Sequence, residues 1–287
     1  MLTALLKTKV FLLDTLFPKH CVSCQAEGVF LCEKCLSMIQ LLEFQVCPKC
    51  EKLMTENGKL CQSCKNDRPP LDALVVAAKY KNNNVSKIIH LFKYNFVEDL
   101  HIPLGQLLIK SILKNNLPLP DLIIPIPLHK RRLRWRGFNQ SELLADYVSE
   151  NLTPGFKIPV ISDLIIRHKY TPPQMKIGKY AERRKNIADA FEINKKFNTQ
   201  RHFVSFWTRS VQKECHPELD SGSNAKPAEI PDQVRNDNMT LLLQNKKILL
   251  IDDIATTGAT LFECAKVLKQ NGAKKVFAAV IARQELS

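Results

Sequence analysis

Two adjacent carboxylates followed by small hydroxyl residues are the most chemically informative feature of the sequence. Asp252 and Asp253 come directly after the apolar run 248–251, and the segment TTGAT (256–260) follows after two further residues. The apolar run predicts a buried strand, and the pattern after Thr260 predicts a helix. In open α/β sheets, ligands bind where strands end and helices begin, so we expect a ligand site at this junction.

The residue types at this junction favour a phosphorylated sugar. Free backbone N–H groups and the dipole at a helix N-terminus attract phosphate, and Gly258 lets the backbone approach closely. The two carboxylates can accept hydrogen bonds from sugar hydroxyls or hold a hard cation such as Mg²⁺. The simpler alternative is a strand and a capped helix without a ligand. The spacing of the TTG segment after the two acids argues against it.

Eight of the ten cysteines form four CxxC pairs within 44 residues. The pairs are Cys21 and Cys24, Cys32 and Cys35, Cys47 and Cys50, and Cys61 and Cys64. Because two CxxC pairs complete one tetrahedral site, eight thiolates predict about two structural Zn²⁺ ions. Sequential pairing is the simplest arrangement, and the interleaved pairing of a cross-brace stays open. A disulfide framework is disfavoured, since the rest of the chain suits a reducing cytosol. Cys215 and Cys264 stand apart and are expected to be unliganded.

The formal net charge of +14 is concentrated in two stretches. Residues 129–140 hold five basic residues and no acid, and residues 167–187 hold seven basic residues and one acid. Such concentration suits a polyanion, either pyrophosphate or nucleic acid, with a solvated surface as the alternative. No apolar stretch reaches the roughly 20 residues of a membrane helix, so we expect no membrane insertion. The run 10–17 predicts an amphipathic helix rather than a signal peptide, and we expect a cytoplasmic protein.

The order of the predicted elements indicates two units. We predict an N-terminal helix with a double zinc-ribbon module over residues 1–68 and an α/β domain over 69–287, with Pro69 and Pro70 at the boundary. Predicted strands cover 71–80, 122–126, 160–166, 248–251 and 275–282, and predicted helices cover 85–100, 103–114, 139–150, 180–188 and 261–272. Strands that alternate with helices predict a doubly wound parallel sheet.

One segment, residues 199–243, does not fit this alternation. It is rich in Asn, Asp, Pro, Ser and Gly and has no sustained apolar period. A structureless stretch of this length inside a compact domain indicates an insertion, which the slow growth of loop-closure entropy permits. The peptide resembles the translated palindromic repeat elements that invade genes of some intracellular alphaproteobacteria. We therefore expect a disordered surface insertion with no part in the chemistry.

The run from Ile248 to Thr260 resembles the phosphoribosyl-pyrophosphate (PRPP) signature of type I phosphoribosyltransferases. It contains four hydrophobic residues, two acids, a spacer pair and TTGAT, in that order. The resemblance implies that Asp252 and Asp253 face the ribose 2′- and 3′-hydroxyls and that the following loop holds the 5′-phosphate. The PRPP-binding residues it implies are Ala255, Thr256, Thr257, Gly258, Ala259 and Thr260.

Three ordered blocks extend the resemblance to nearly the whole chain outside 199–243. They are the CxxC pairs, the stretch IPIPLHKRRLRWRGFNQSELLA with a later TPPQ…ERRKN…AF pattern, and LLIDDIATTGAT. Together they resemble the ComF/GntX family, whose members are similar to competence protein F. The resemblance implies a type I phosphoribosyltransferase-like domain preceded by a small zinc-binding module.

The same resemblance assigns roles to the basic residues. A basic loop after the strand 122–126 would receive pyrophosphate, which makes Lys130, Arg134 and Arg136 candidates for its contacts. Arg183 and Arg184 would belong to a mobile loop over PRPP, or else to a solvated helix face. Two residues beside these basic residues, Asn139 and Trp135, have other possible roles. Asn139 suits a helix cap, and Trp135 suits either base stacking or packing on the sheet.

Two functions of different class follow from the resemblance. As an enzyme, the protein would transfer phosphoribosyl from PRPP with Mg²⁺ to an unknown acceptor and release pyrophosphate. Asp252 and Asp253 would hold the ribose, and catalysis would rest on positioning and on neutralising the leaving group. As an accessory factor in DNA uptake and competence, it would bind single-stranded DNA through its zinc module and basic stretches. That role implies a DNA-uptake helicase as a partner.

Overall fold

The computed structural model describes residues 19–95, 97–171, 186–198 and 242–284. The strands are β1 (Gln45–Val46), β2 (Met54–Thr55), β3 (Ala73–Lys79), β4 (Leu122–Pro125), β5 (Ile165–Arg167), β6 (Phe191–Ile193), β7 (Lys247–Ala255) and β8 (Lys275–Arg283). The helices are α1 (Glu33–Ser37), α2 (Gln62–Asn66), α3 (Asn83–Tyr94), α4 (His101–Lys114), α5 (Lys130–Arg136), α6 (Gln140–Asn151) and α7 (Ala259–Gln270). Short 3₁₀ turns cover Glu56–Gly58, Glu98–Leu100 and Lys195–Asn198.

The main sheet has the strand order β3-β8-β7-β4, and each neighbouring pair is parallel. In the register at its centre, Leu250 lies opposite Ala278 on one side and Ile124 on the other. All three side chains are fully buried. Continuous apolar strands of this kind are typical of parallel sheets that are covered on both faces. The predicted parallel sheet is therefore confirmed.

The two faces of the sheet are covered by different elements. On one face, α3, α4 and α6 contribute Phe92, Leu104 and Leu144 to a core that also contains Ile251 of β7. On the other face, α7 and the β5–β6 pair form a second core, which includes Cys264 and Ile165. This is the doubly wound arrangement expected from the alternation of strands and helices.

One predicted strand, 160–166, is wrong in its extent. Val160 forms only an isolated parallel bridge with Ile123 at the outer edge of β4. Ser162 and Asp163 then form a turn. Strand β5 begins after this turn and pairs antiparallel with β6 instead of joining the main sheet. Ser and Asp favour turns because their side chains bond to nearby backbone groups, so the apolar run is divided between two separate pairings.

The N-terminal module packs directly onto the parallel sheet. The segment before β1 covers the free edge of β3, where the Leu42 N–H donates to the Ala77 carbonyl at 2.8 Å. The buried Gln45 amide bonds to both backbone groups of Val76, at 2.9 and 3.0 Å. Leu36 joins the same apolar core as α3 and α4. Packing therefore adds to whatever stability metal supplies, and the edge strand is protected from other chains.

Several predicted features lie outside the described residues. They are the N-terminal helix over 10–17, most of the helix over 180–188 with Arg183 and Arg184, Cys215, and nearly all of the segment 199–243. Among the helices that are described, none is both long and apolar enough to cross a bilayer.

Deleting residues 201–238 is expected to leave both the melting temperature and PRPP binding nearly unchanged. The sequence of this segment lacks the periodic apolar residues that would fix it to a core. The described chain on either side keeps its own anchors, because Phe197 packs on the second core and Leu243 is fully buried within it. Thermal denaturation and a PRPP titration of the deletion variant would check this. A loss of several kcal/mol in unfolding free energy would mean that the segment packs.

Candidate functional site

Asp253 lies near the carboxyl end of β7 and is buried, with 5% of its surface exposed. Strand residues alternate between the two faces of a sheet, so Asp253 points the same way as Ile251, toward α3. There, the Nζ atom of Lys93 lies 2.9 Å from the Asp253 Oδ1 atom, and both side chains are largely enclosed. Lys93 therefore holds Asp253 as a buried ion pair. No sequence motif marked this lysine.

Asp252 is held by hydrogen bonds rather than by an ion pair. Its Oδ1 atom accepts from the Ser141 hydroxyl and from the Asp253 N–H, both at 2.9 Å. Burial and the neighbouring Asp253 carboxylate raise the pKa of Asp252 to about 7, despite the opposing effect of Lys93. The two acids are therefore held differently, Asp253 by the ammonium of Lys93 and Asp252 by hydroxyl and amide donors.

The loop of residues 255–260, here called the signature loop, turns β7 into α7. Gly258 has φ +68°, a left-handed conformation that glycine adopts without strain. The Thr257 hydroxyl accepts a hydrogen bond from the Ala259 N–H at 3.3 Å, and Thr257 is completely buried. Thr256 and Thr260 instead line a cleft. Thr257 therefore orders the loop, while Thr256 and Thr260 face the cleft.

A cleft of about 440 Å³ opens in front of the two acids, at the carboxyl edge of the sheet. Of the described residues that line it, five are cationic and two are carboxylates. The cations are Lys93, Arg131, Arg132, Arg136 and Arg167, and the carboxylates are Asp252 and Asp253. We call this the carboxyl-edge cleft. Its volume suits a small molecule, and its excess of positive charge suits an anionic one.

The basic stretch after β4 is the helix α5 rather than a loop, with the His129 side chain as its N-cap. Arg132 and Arg136, four residues apart, share a helix face and line the cleft. Lys130 and Arg134, by contrast, are exposed and are not among the cleft-lining residues. Of the three predicted pyrophosphate contacts, the structure therefore brings only Arg136 to the acids. Because the stretch is helical, Lys130 and Arg134 lie on a different face of α5 from Arg136 and point away from the cleft.

Three arginines in the cleft are partly or wholly buried, and none forms an ion pair within the described residues. Arg167 is 8% exposed and donates to the Thr171 hydroxyl. Burial, aided by the charge of Arg132, lowers the pKa of Arg167 to about 10. Arg132 donates to the Thr171 carbonyl at 2.9 Å, and Arg136 donates to the Gln140 side chain at 2.8 Å. Enclosed cations with no carboxylate within ion-pair distance are typical of an anion-binding wall.

Aromatic side chains stand at the mouth of the cleft. Trp135 is 59% exposed, and its ring centroid lies 6.2 Å from that of Tyr94. Tyr170 also lines the cleft, and the guanidinium of Arg131 lies 5.1 Å from the centre of its ring. Trp135 is therefore exposed at the cleft and is not packed on the sheet. Asn139 caps α6 as its position in the sequence suggested, since its Oδ1 atom accepts from the Ser141 N–H.

The eight cysteines of the CxxC pairs form two separate groups of four. Each group combines two pairs that are consecutive in the sequence. Within each group the sulfur atoms all lie within 4.8 Å of one another. Cys24 and Cys32 are 3.6 Å apart, and Cys50 and Cys61 are 3.9 Å apart. A tetrahedral zinc site with Zn–S bonds of about 2.3 Å requires sulfurs about 3.8 Å apart, so both groups fit the ion. We call the group from Cys21 to Cys35 the first ribbon and the group from Cys47 to Cys64 the second ribbon.

In each ribbon, the first CxxC pair lies on a turn of the same type. The Gln25 N–H donates to the Cys21 carbonyl at 2.9 Å, and the Glu51 N–H donates to the Cys47 carbonyl at 2.9 Å. Gln25 and Glu51 also share a left-handed backbone, with φ of 62° and 59°. In the second ribbon, the backbone N–H of Lys52 helps to lower the pKa of Cys50 to about 6, whereas burial and the neighbouring thiols raise the pKa of Cys64 to about 12.

Comparison with known proteins gave two domain matches and several relatives. The double zinc ribbon domain matches residues 12–67, and the phosphoribosyl transferase domain matches residues 207–285, which contain the signature loop and β8. The chain is 28% identical over 235 residues to DNA utilization protein YhgH of Escherichia coli O157:H7, covering 80% of this chain and 81% of the relative. It is 25% identical over 250 residues to competence protein F of Haemophilus influenzae, covering 86% and 87% of the two chains.

Proposed function

We propose that this chain, which joins a double zinc ribbon domain to a phosphoribosyltransferase domain and is related to ComF-type proteins, binds PRPP with Mg²⁺ and transfers phosphoribosyl to an acceptor. The domain matches and relatives confirm the resemblance that the sequence motifs indicated. The two Cys₄ groups support structural Zn²⁺ in the ribbons. The ligand and the reaction are the proposal.

One observation carries it. The signature acids and loop line the same cleft as three arginines that have no carboxylate within ion-pair distance among the described residues. PRPP needs both halves of such a cleft, since its ribose presents hydroxyls and its phosphates are strongly anionic. The 5′-phosphate would bind at the N-terminus of α7, beside Thr256 and Thr260. The pyrophosphate would bind between Arg132, Arg136 and Arg167, where bidentate contacts are available.

The chemistry of such a cleft is electrostatic. When pyrophosphate leaves, negative charge grows on it and positive charge grows at the anomeric carbon. The arginine wall would stabilise the leaving group, with its donors already in place before the reaction. Lys93 pairs with one oxygen of Asp253, and the second oxygen of that carboxylate would accept from a ribose hydroxyl. Mg²⁺, a hard cation that prefers oxygen ligands, would be held by phosphate oxygens with Asp252 and Asp253 and would neutralise further charge.

Calorimetric titration of the full chain with PRPP tests the proposal. We expect saturable binding of one PRPP per chain, stronger with Mg²⁺ than without it, and weaker binding of ribose 5-phosphate because it lacks the pyrophosphate. A screen of acceptors for pyrophosphate release then tests turnover. No saturable binding of PRPP at any Mg²⁺ concentration would contradict the proposal.

The second candidate is single-stranded DNA binding in DNA uptake, with a DNA-uptake helicase as partner. The names of the two relatives refer to DNA utilization and to competence. On this chain, the exposed Trp135 on α5 supplies an aromatic surface next to clustered positive charge. Binding of an oligonucleotide that weakens steeply as salt rises would favour this function. If the oligonucleotide binds and PRPP does not, the DNA-binding function replaces the enzymatic one.

A further inference from the structure

An ion pair connects the second ribbon to the signature loop. The Glu51 Oε1 atom lies 2.6 Å from the Arg283 Nη2 atom, and the two side chains are 29% and 10% exposed. Glu51 directly follows the zinc-site residue Cys50, and Arg283 is the last residue of β8. The contact therefore joins two units that are distant in the sequence, and enclosure limits its screening by water.

On the ribbon side, Glu51 is fixed by the metal-binding turn itself. Its N–H donates to the Cys47 carbonyl, and its left-handed backbone closes the turn that presents Cys47 and Cys50. The direction of the Glu51 side chain is thus set by the geometry that brings these two sulfurs together. A ribbon folded around its ion would hold this carboxylate rigidly, because metal binding and folding are coupled in such sites.

On the loop side, Arg283 lies against the backbone of the signature loop. It pairs with Ala255 in the β7–β8 ladder, and its Nε atom donates to the Thr256 carbonyl at 3.4 Å. A Cβ atom placed on Gly258 would lie 3.8 Å from Nη2, so the guanidinium also borders the left-handed turn. Among the described residues, Arg283 is not part of the cleft lining. It therefore supports the loop from behind and does not face the ligand.

We propose that Arg283 is a positioning residue for the signature loop and that the second ribbon holds it in place through Glu51. The ribbon would then set the order of the loop, and through it the affinity of the carboxyl-edge cleft for PRPP. The affinity readout rests on the proposed function, whereas the order of the loop can be measured without a ligand. The first ribbon offers a matched control, because exposed, uncharged Gln25 occupies the position in its turn that Glu51 occupies in the second.

The test compares Glu51→Ala, Arg283→Gln, their double variant and the control Gln25→Ala in the full chain. Hydrogen exchange of the 255–262 amides is measured without ligand, together with zinc content. We expect faster exchange in both single variants and in the double variant, wild-type exchange in Gln25→Ala, and unchanged zinc content throughout. PRPP affinity should fall roughly fivefold or more in each single variant, a typical size for coupling between sites. The double variant should lose no more than the larger single loss, since both substitutions break one contact.

The outcomes separate this inference from the proposed function. If wild-type protein binds no PRPP, the proposed function fails, and exchange alone decides whether the ribbon orders the loop. Unchanged exchange in Glu51→Ala and Arg283→Gln would overturn the inference, whether or not PRPP binds. Tighter PRPP binding in Glu51→Ala would also overturn it, because Glu51 would then be masking a phosphate-binding charge instead of positioning a support.

Discussion

Replacing Cys21 with serine is expected to remove one zinc ion per chain and to destabilise the protein strongly. Cys21 is fully buried, and its sulfur belongs to the four-cysteine group of the first ribbon. Structural zinc sites contribute much of the folding free energy of small ribbons, so an incomplete site should release the ion. The loss should spread beyond the ribbon, because Leu36 and Ile39 pack into the same core as α3 and α4.

Elemental analysis and denaturant unfolding of protein purified under reducing conditions would measure both effects. We expect about two zinc ions in the wild type and about one in Cys21→Ser. Cys264→Ser is the matched control, since Cys264 is equally buried but lies in α7, outside both sulfur groups. It should keep both ions and lose only about 1–3 kcal/mol, the usual cost of burying an unpaired hydroxyl. Zinc-free wild-type protein would show that the cysteines have another role.

The parts of the fold that could be predicted from sequence are those with a local signal. The apolar run of β7 and the acids after it are contiguous. The pattern therefore predicts that the acids lie at the carboxyl ends of the strands of a parallel sheet. The sequential pairing of the CxxC groups was the simplest expectation, and the sulfur positions agree with it. Asn139 is a similar case, since a helix cap depends on residues within one turn.

The basic residues show where local reasoning fails. As long as residues 129–140 were treated as a loop, Lys130, Arg134 and Arg136 were equivalent candidates. A helix makes them unequal, because only residues on one face reach the cleft. The four-residue spacing of Arg132 and Arg136 was present in the sequence. Spacing alone could not have selected them, because Lys130 and Arg134 are also four residues apart; which face of the helix meets the cleft depends on how α5 packs.

Other site residues have no local signal. Lys93 lies in the last turn of α3, Arg167 ends β5, and both reach the signature acids only through the fold. Their partners come from distant parts of the chain, so periodicity and spacing carry no information about them. The same is true of Glu51 and Arg283, which meet because the second ribbon lies beside the end of β8.

The substitution Asp253→Asn is expected to weaken PRPP binding at least about tenfold, or roughly 1.4 kcal/mol. It nearly preserves shape while removing the anionic acceptor beside the ribose hydroxyls and Mg²⁺, and a hydrogen bond to a charged group contributes at least that much. It also leaves the enclosed ammonium of Lys93 without its carboxylate, which should lower the unfolding free energy as well. Denaturant unfolding of the variant measures this second effect separately from affinity.

The control is Asp99→Asn, which makes the same change in another ion pair. Asp99 lies 2.7 Å from Lys19, is 60% exposed, and is not among the residues that line the carboxyl-edge cleft. Its replacement should leave PRPP affinity unchanged and cost little stability, because exposed ion pairs contribute little. Binding of single-stranded DNA should be unaffected by either change, since it would depend on lysines and arginines. If folded Asp253→Asn binds PRPP as tightly as the wild type in the presence of Mg²⁺, the cleft is not a PRPP site.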